Sequence, residues 1–170
     1  AFAKAGQAFG NSDYTQAAKR AADFVLETLQ DDQGRLLKRY RDGEAGLSAH
    51  LEDYTFFVWG LIDLYEATLE VKYLAEAVRL NDYMLEHFWD ADKGALFMVA
   101  DTSEQLLVRS KEIYDGAIPS GNSVAVLNLV RLGRLTANTD YEKKAEAIVR
   151  AFSGGVKSNP GHHTQLMMGL

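Results

Sequence analysis

Two short stretches hold most of the side chains that could do chemistry: "HLEDY" at 50–54 and "YDGAIPSGNS" at 114–123. The first sets His50, Glu52, Asp53 and Tyr54 close together, and the second sets Tyr114 and Asp115 just ahead of Ser120 and Asn122. A carboxylate can accept hydrogen bonds from hydroxyls or act as a general base. Each stretch also has a purely structural reading. Glu52 and Asp53 in a first helical turn would complement the helix dipole. Pro119 suits a helix entry, and Ser120, Asn122 or Ser123 could cap the helix that follows. A third stretch, "LLKRYRDGEA" at 36–45, adds Arg39, Tyr40 and Asp42. An Arg could clamp a phosphate or carboxylate, and the bland alternative is a solvated loop.

The elements that position these groups follow from an internal repeat. Tyr14, Tyr73 and Tyr141 each open an Ala-containing segment, with Ala18, Ala77 and Ala145 four residues on. These segments are amphipathic: Tyr141, Ala145, Ile148, Val149 and Phe152 fall on one helical stripe, with charged residues elsewhere. A second kind of segment alternates with them, at 51–68 and 120–136, apolar almost all round and in register at an offset of 68 residues. A helix of that kind must be covered on several sides. The pattern predicts apolar inner helices wrapped by amphipathic outer ones, as αα-hairpins in a curved double layer. Gly34 and Gly94 are expected to stop outer helices. Inner-to-outer turns are short, after Thr68 and Thr136. The outer-to-inner links are long, and long links are often functional. The second of them suggests a short β-hairpin within 95–110, "LFMVA" and "QLLVR" flanking "DTSE".

The offset sets Asn122 in register with Tyr54, and Gly121 with Asp53. Both stretches therefore open neighbouring inner helices, at one rim where exposed N–H groups favour polar or anionic ligands. Asp115 lies close to that rim in sequence.

Composition bounds the rest. Apolar residues make up 47% and charged residues 25%, enough for a real core in a single domain. The net charge of −6 argues against a nucleic-acid surface. No apolar run approaches the ~18 residues of a membrane span. The absence of cysteine removes thiol chemistry and fits a reducing, cytoplasmic setting. His50, His87, His162 and His163 show no metal-ligand spacing, so neither metal nor cofactor is expected. Phe56, Phe57, Trp59 and Tyr65 are expected in the core. The ends read as cut through helices, as in a fragment of a larger unit.

"LEDYTFFVWGLIDLYEAT", "FWDADKGALF" and "DGAIPSGNSVAVLNLVRL" resemble the C-terminal helical region of the thioredoxin-domain-containing, spermatogenesis-associated family. The similarity runs over nearly all 170 residues. It implies an all-α fold: part of an (α/α)6 toroid, about three αα-hairpins, similar to N-acylglucosamine 2-epimerase and six-hairpin glycosidase toroids. The family's thioredoxin-like domain falls outside these residues and is one implied partner; self-association is another expectation. By analogy with sugar enzymes of this shape, the rim becomes a carbohydrate site. Asp53 and Asp115 are then the candidate catalytic pair, since glycoside hydrolysis needs two carboxyl groups. Tyr54, Glu52, His50, Arg39, Tyr40, Tyr114, Ser120 and Asn122 would bind the sugar. Epimerase chemistry relies on histidine, and only His50, His162 or His163 could supply it. A catalytically silent scaffold, packing against the thioredoxin-like domain or a protein partner, is the competing expectation.

Overall fold

Residue identity sets the helix starts. Asn11 and Asn138, each three residues before a repeat tyrosine, accept the N–H of Asp13 and Asp140 through their side chains. They open α2 (Ser12–Thr28) and α6 (Thr139–Ser158) in a computed structural model that describes residues 1–103 and 108–170. Between them run α3 (Leu51–Thr68), α4 (Val71–His87) and α5 (Gly121–Thr136). The short α1 (Phe2–Phe9) precedes, and α7 (Thr164–Met167) follows a single 3-10 turn at Pro160–His162. Inner helices end on a left-handed residue at Gly10, Leu69 and Ala137, so the connection to each outer helix is tight.

α3 packs on α4 and α5 packs on α6, as αα-hairpins, while α3 also lies along α5 and α1. The inner helices thus form one row and α2, α4 and α6 an outer row, as the alternating hydrophobicity predicts. Leu51, Val58, Leu61, Ile62, Tyr73, Leu80, Met84, Phe88, Leu129, Leu132 and Ile148 fill the space between. Burying each such side chain contributes roughly 1.5–3 kcal/mol.

Polar links repeat with the helices. The Tyr73 hydroxyl donates to Asp23 of the neighbouring outer helix, and the Tyr141 hydroxyl donates to Asp82 in the same register. On the inner row, equivalent positions carry Lys4, Asp63 and Arg131. Asp63 lies 3.6 Å from Lys4 and 2.7 Å from Arg131, and Glu66 joins both cations. Alternating charge ties three inner helices together.

Two local expectations change. Gly34 and Gly94 have φ of 74° and 70°, yet α2 and α4 end earlier, at Thr28 and His87. The glycines instead close tight turns whose first residues, Asp31 and Asp90, bind the following N–H groups through their carboxylates. A β-hairpin also forms in the first long link. β1 (Leu37–Arg41) pairs antiparallel with β2 (Glu44–Ser48) around Asp42-Gly43, both at positive φ. In the second long link, residues 104–107 of the expected hairpin lie outside the described residues. Its described part shows Met98 donating to Ser110 and Trp89 bridged to Leu96. Among the described residues no helix is long and apolar enough to cross a membrane.

Candidate functional site

The N-termini of α3 and α5 meet at one rim. A Cβ built on Gly121 would sit 2.8 Å from the Leu51 side chain and 3.4 Å from Glu52 Cγ, so only glycine allows this approach. His50 occupies the N-cap position of α3. Asp53 reaches back, its Oδ2 accepting the His50 N–H at 2.8 Å. Its Oδ1 has no partner among the described residues. Asp53 and Glu52 are half-buried and line an open groove of about 500 Å³ with Lys38, Phe56, Phe57 and Ile118. Lys38 Nζ lies 3.1 Å from His50 Nδ1, within reach of a hydrogen bond. Charge at the groove is therefore mixed: two carboxylates face one ammonium.

The expected sugar-binding residues, with the expected catalytic Asp53, divide into an accessible group and an interior one. His50, Glu52 and Asp53 gather at the groove. Arg39 and Tyr40 stand exposed on β1, Tyr40 packing edge-on against Phe24. Tyr114 is exposed beside the rim, edge-on to His162. By contrast, Tyr54, Ser120 and Asn122 are interior. Tyr54 is stacked on Tyr83, and its hydroxyl accepts the Leu36 N–H. Burial drives its pKa well above the ordinary tyrosine value. Asn122 is fully buried and spends its amide on Leu96 and the Glu112 carbonyl. Ser120 is the N-cap of α5, accepting from the Ser123 N–H. These three were expected at the mouth because they open or border inner helices. The long links fold back over those helix ends and take up their polar atoms.

Asp115 is likewise built into the frame. Oδ1 accepts the Ser120 N–H, and Oδ2 accepts those of Gln165 and Leu166. Only 9% exposed, it clamps the start of α5 to α7, so it offers no free carboxyl oxygen to pair with Asp53. His162 and His163 lie at the same crossing, His163 Nδ1 donating to the Ile113 carbonyl at 3.1 Å. Among the described residues no group of three His, Asp or Glu could hold a metal.

Sequence reasoning missed Lys38, Phe56, Phe57, Trp59 and Ile118. The aromatics were expected in the core, and they are instead half-buried along an open side of α3. Spacing could have shown part of this: Glu52, Phe56 and Trp59 fall at i, i+4 and i+7 on one helical stripe, and an acid at its start keeps that end of the stripe open.

The groove also has an apolar wall, Val25, Leu29, Leu36 and Leu37. In the next unit the equivalents of Val25 and Leu29 are Met84 and Phe88, both fully buried. The N-terminal half of α3 stands over the second pair.

No family model matches the chain. It is 37% identical over 169 residues to spermatogenesis-associated protein 20 of Rattus norvegicus, covering 94% of this chain and 21% of that protein. The human protein of the same name is 36% identical over 94% of the chain and 22% of its own length. The chain therefore spans about a fifth of these relatives. Among solved structures, a glycoside hydrolase family 76 mannosidase from Bacteroides thetaiotaomicron matches with a TM-score of 0.72 at 18% identity, over 88% of this chain and 40% of that one. A cellobiose 2-epimerase from Spirochaeta thermophila matches with a TM-score of 0.72 at 20% identity, over 89% and 40%. A D-mannose isomerase gives 0.69 at 16%, over 88% and 38%. At such identities the likeness establishes the fold: this is part of an all-α, six-hairpin type of toroid.

Proposed function

We propose that this segment, a homologue of one stretch of the spermatogenesis-associated proteins, binds carbohydrate at the rim where its inner helices begin. The observation that carries the reading is the pair Glu52 and Asp53. Both are half-exposed acids, at the N-terminus of an inner helix, beside an open groove. The fold neighbours act on sugars by their names, a mannosidase, an epimerase and an isomerase, which supports placing a sugar there. The free Asp53 oxygen and Glu52 accept hydrogen bonds from sugar hydroxyls, Lys38 donates, and the exposed Arg39, Tyr40 and Tyr114 supply further contacts. Asp115 holds the rim rigid. Any catalysis is glycosidase- or epimerase-like and draws on Glu52, Asp53 and His50. The test is calorimetric titration of the full-length protein with a panel of neutral mono- and disaccharides, beside Asp53→Asn and Glu52→Gln. Asp53→Asn keeps an oxygen for the His50 N–H, so the helix start survives. Binding by the wild type, weakened in both variants, supports the proposal. No sugar binding at all sinks it.

A second reading has its own observation. The wall of Val25, Leu29, Leu36 and Leu37 is apolar, and its repeat equivalents are covered by a helix. In this reading the segment is a non-catalytic scaffold, and the groove seats other protein, such as the thioredoxin-like domain implied by the family. Protection of residues 25–37 from hydrogen exchange in the full-length protein, together with absent sugar binding, would select it.

A further inference from the structure

Asp-Gly occurs twice in the chain, at 42–43 and at 115–116, in opposite surroundings. Asp42 and Gly43 form the turn of the hairpin, at φ of 53° and 87°. The Asp42 side chain is 86% exposed, and a Cβ built on Gly43 would meet nothing within 4 Å. Arg41 Nε lies 3.2 Å from Asp42 Oδ2, but both side chains stand in solvent, and an exposed pair of this kind holds a carboxylate only weakly. Among the described residues the Gly43 N–H has no hydrogen-bond partner. Asp115 is the reverse case. Its two oxygens accept three backbone N–H groups, its own N–H donates to the His162 carbonyl, and the Tyr114 ring stands 2.9 Å from where a Gly116 Cβ would be.

We propose that Asp42-Gly43 is a site of spontaneous aspartate isomerisation, and that the product unpairs the hairpin. A glycine after aspartate leaves the next backbone nitrogen unshielded, and glycine turns most freely about its own backbone. The Gly43 nitrogen attacks Asp42 Cγ. An N–Cγ bond forms, the protonated carboxyl loses its hydroxyl, and that hydroxyl leaves as water with the amide proton. Water then opens the five-membered imide. Opening at Cγ restores aspartate. Opening at the former main-chain carbonyl leaves isoaspartate, with the chain running through Cβ and Cγ and the α-carboxylate free. Nothing is oxidised or reduced, and water is the only co-reactant. At Asp115 the same closure would first have to break three accepted hydrogen bonds.

Isoaspartate inserts one extra main-chain atom into a two-residue turn. That turn matches the twist of its strands only because both central residues hold positive φ. With the added atom, Arg41 no longer stands opposite Glu44, nor Tyr40 opposite Ala45. β1 also carries Lys38, which lines the groove and lies 3.1 Å from His50 Nδ1, so the change reaches the rim. The reaction does not depend on what the groove binds.

Full-length protein is kept at neutral pH and body temperature for several weeks, folded in one arm and unfolded in guanidinium in the other. Isoaspartyl peptides are then marked with an isoaspartyl methyltransferase and a labelled methyl donor, and located by mass. In the folded arm the expected label falls on the peptide holding Asp42 and not on the one holding Asp115. In the unfolded arm both are labelled. Asp42→Glu, which would have to close a larger ring, should lose the first label while melting as the wild type does. In the isomerised fraction, amide exchange should accelerate at Tyr40 and Ala45, with Leu61 and Ile62 inside α3 unchanged. No label at Asp42 in folded protein, or equal labelling of Asp42 and Asp115 there, overturns the site. Unaltered exchange at Tyr40 and Ala45 in the isomerised fraction overturns the unpairing.

Discussion

Tyr54 and Asn122 stand 68 residues apart at one register of the repeat and do the same job. Each receives the backbone N–H of a leucine from the link that precedes its helix, Leu36 for Tyr54 and Leu96 for Asn122, both at 2.9 Å. Asn122 also donates to the carbonyls of Leu96 and Glu112. A phenol and an amide thus solve one problem: a loop crossing a helix start carries backbone groups that water cannot reach. Tyr54→Phe leaves one buried N–H unpaired and should cost roughly 1–3 kcal/mol. Asn122→Ala strands one donor and two acceptors and should cost more than Tyr54→Phe. Urea denaturation at constant m-value checks the ranking. An Asn122→Ala variant as stable as wild type would refute the tethering role.

Asp115 predicts a local effect rather than a global one. Its three accepted N–H groups belong to Ser120, Gln165 and Leu166. Asp115→Asn replaces one acceptor oxygen by an N–H₂ that faces donors. Amide hydrogen exchange should accelerate at Gln165, Leu166 and Ser120, with little change at the core amides of α3 and α4. Unaltered exchange at those three amides would return Asp115 to the list of free acids.

How much of this was legible depended on length scale. The alternation of inner and outer helices was readable because 51–68 and 141–152 differ in where their charges fall, and tertiary packing follows that difference directly. The common register of the two rim stretches was readable from the offset between Leu61 and Leu129. Side-chain direction at the rim was not. Whether Tyr54 faces solvent depends on a link more than a dozen residues long folding back to place Leu36 over it, and nothing local to "HLEDY" specifies that. Asp115 failed the same way, since its partners Gln165 and Leu166 lie 50 residues on. The β-hairpin was within reach. Asp42-Gly43 between "KRYR" and "EAGLS" is a strong two-residue turn signal.

Asp90 gives the molecule an acid-side pH dependence. The Lys111 ammonium, hydrogen-bonded at 2.6 Å, is the chief cause of a pKa lowered to about 2, helped by the Lys93 and Asp92 N–H groups. A carboxyl depressed in the folded state contributes stability that is complete above its ordinary value near 3.8. That contribution is lost as pH falls toward about 2. Stability curves for wild type and Asp90→Asn between pH 6 and 2 should therefore differ most at the upper end and converge at the lower. Parallel curves over the whole range would show that the Lys111 contact does not form in solution.

Gly121 tests the convergence on which the rim depends. It is the first residue of α5, at ordinary φ, where alanine would normally be neutral to slightly stabilising because glycine loses more backbone freedom on folding. Here the added Cβ would meet Leu51 Cγ at 2.8 Å and Cδ2 at 2.9 Å, and Leu51 is fully buried with no free direction to move. Overpacking of that kind typically costs 1–3 kcal/mol, so the net sign reverses. Gly121→Ala should lower the denaturation midpoint, and Leu51→Ala combined with it should recover part of the loss that each substitution causes alone. A stabilising Gly121→Ala would mean that α3 and α5 stand further apart at their N-termini, and Glu52 and Asp53 would then face a wider opening than the groove described above.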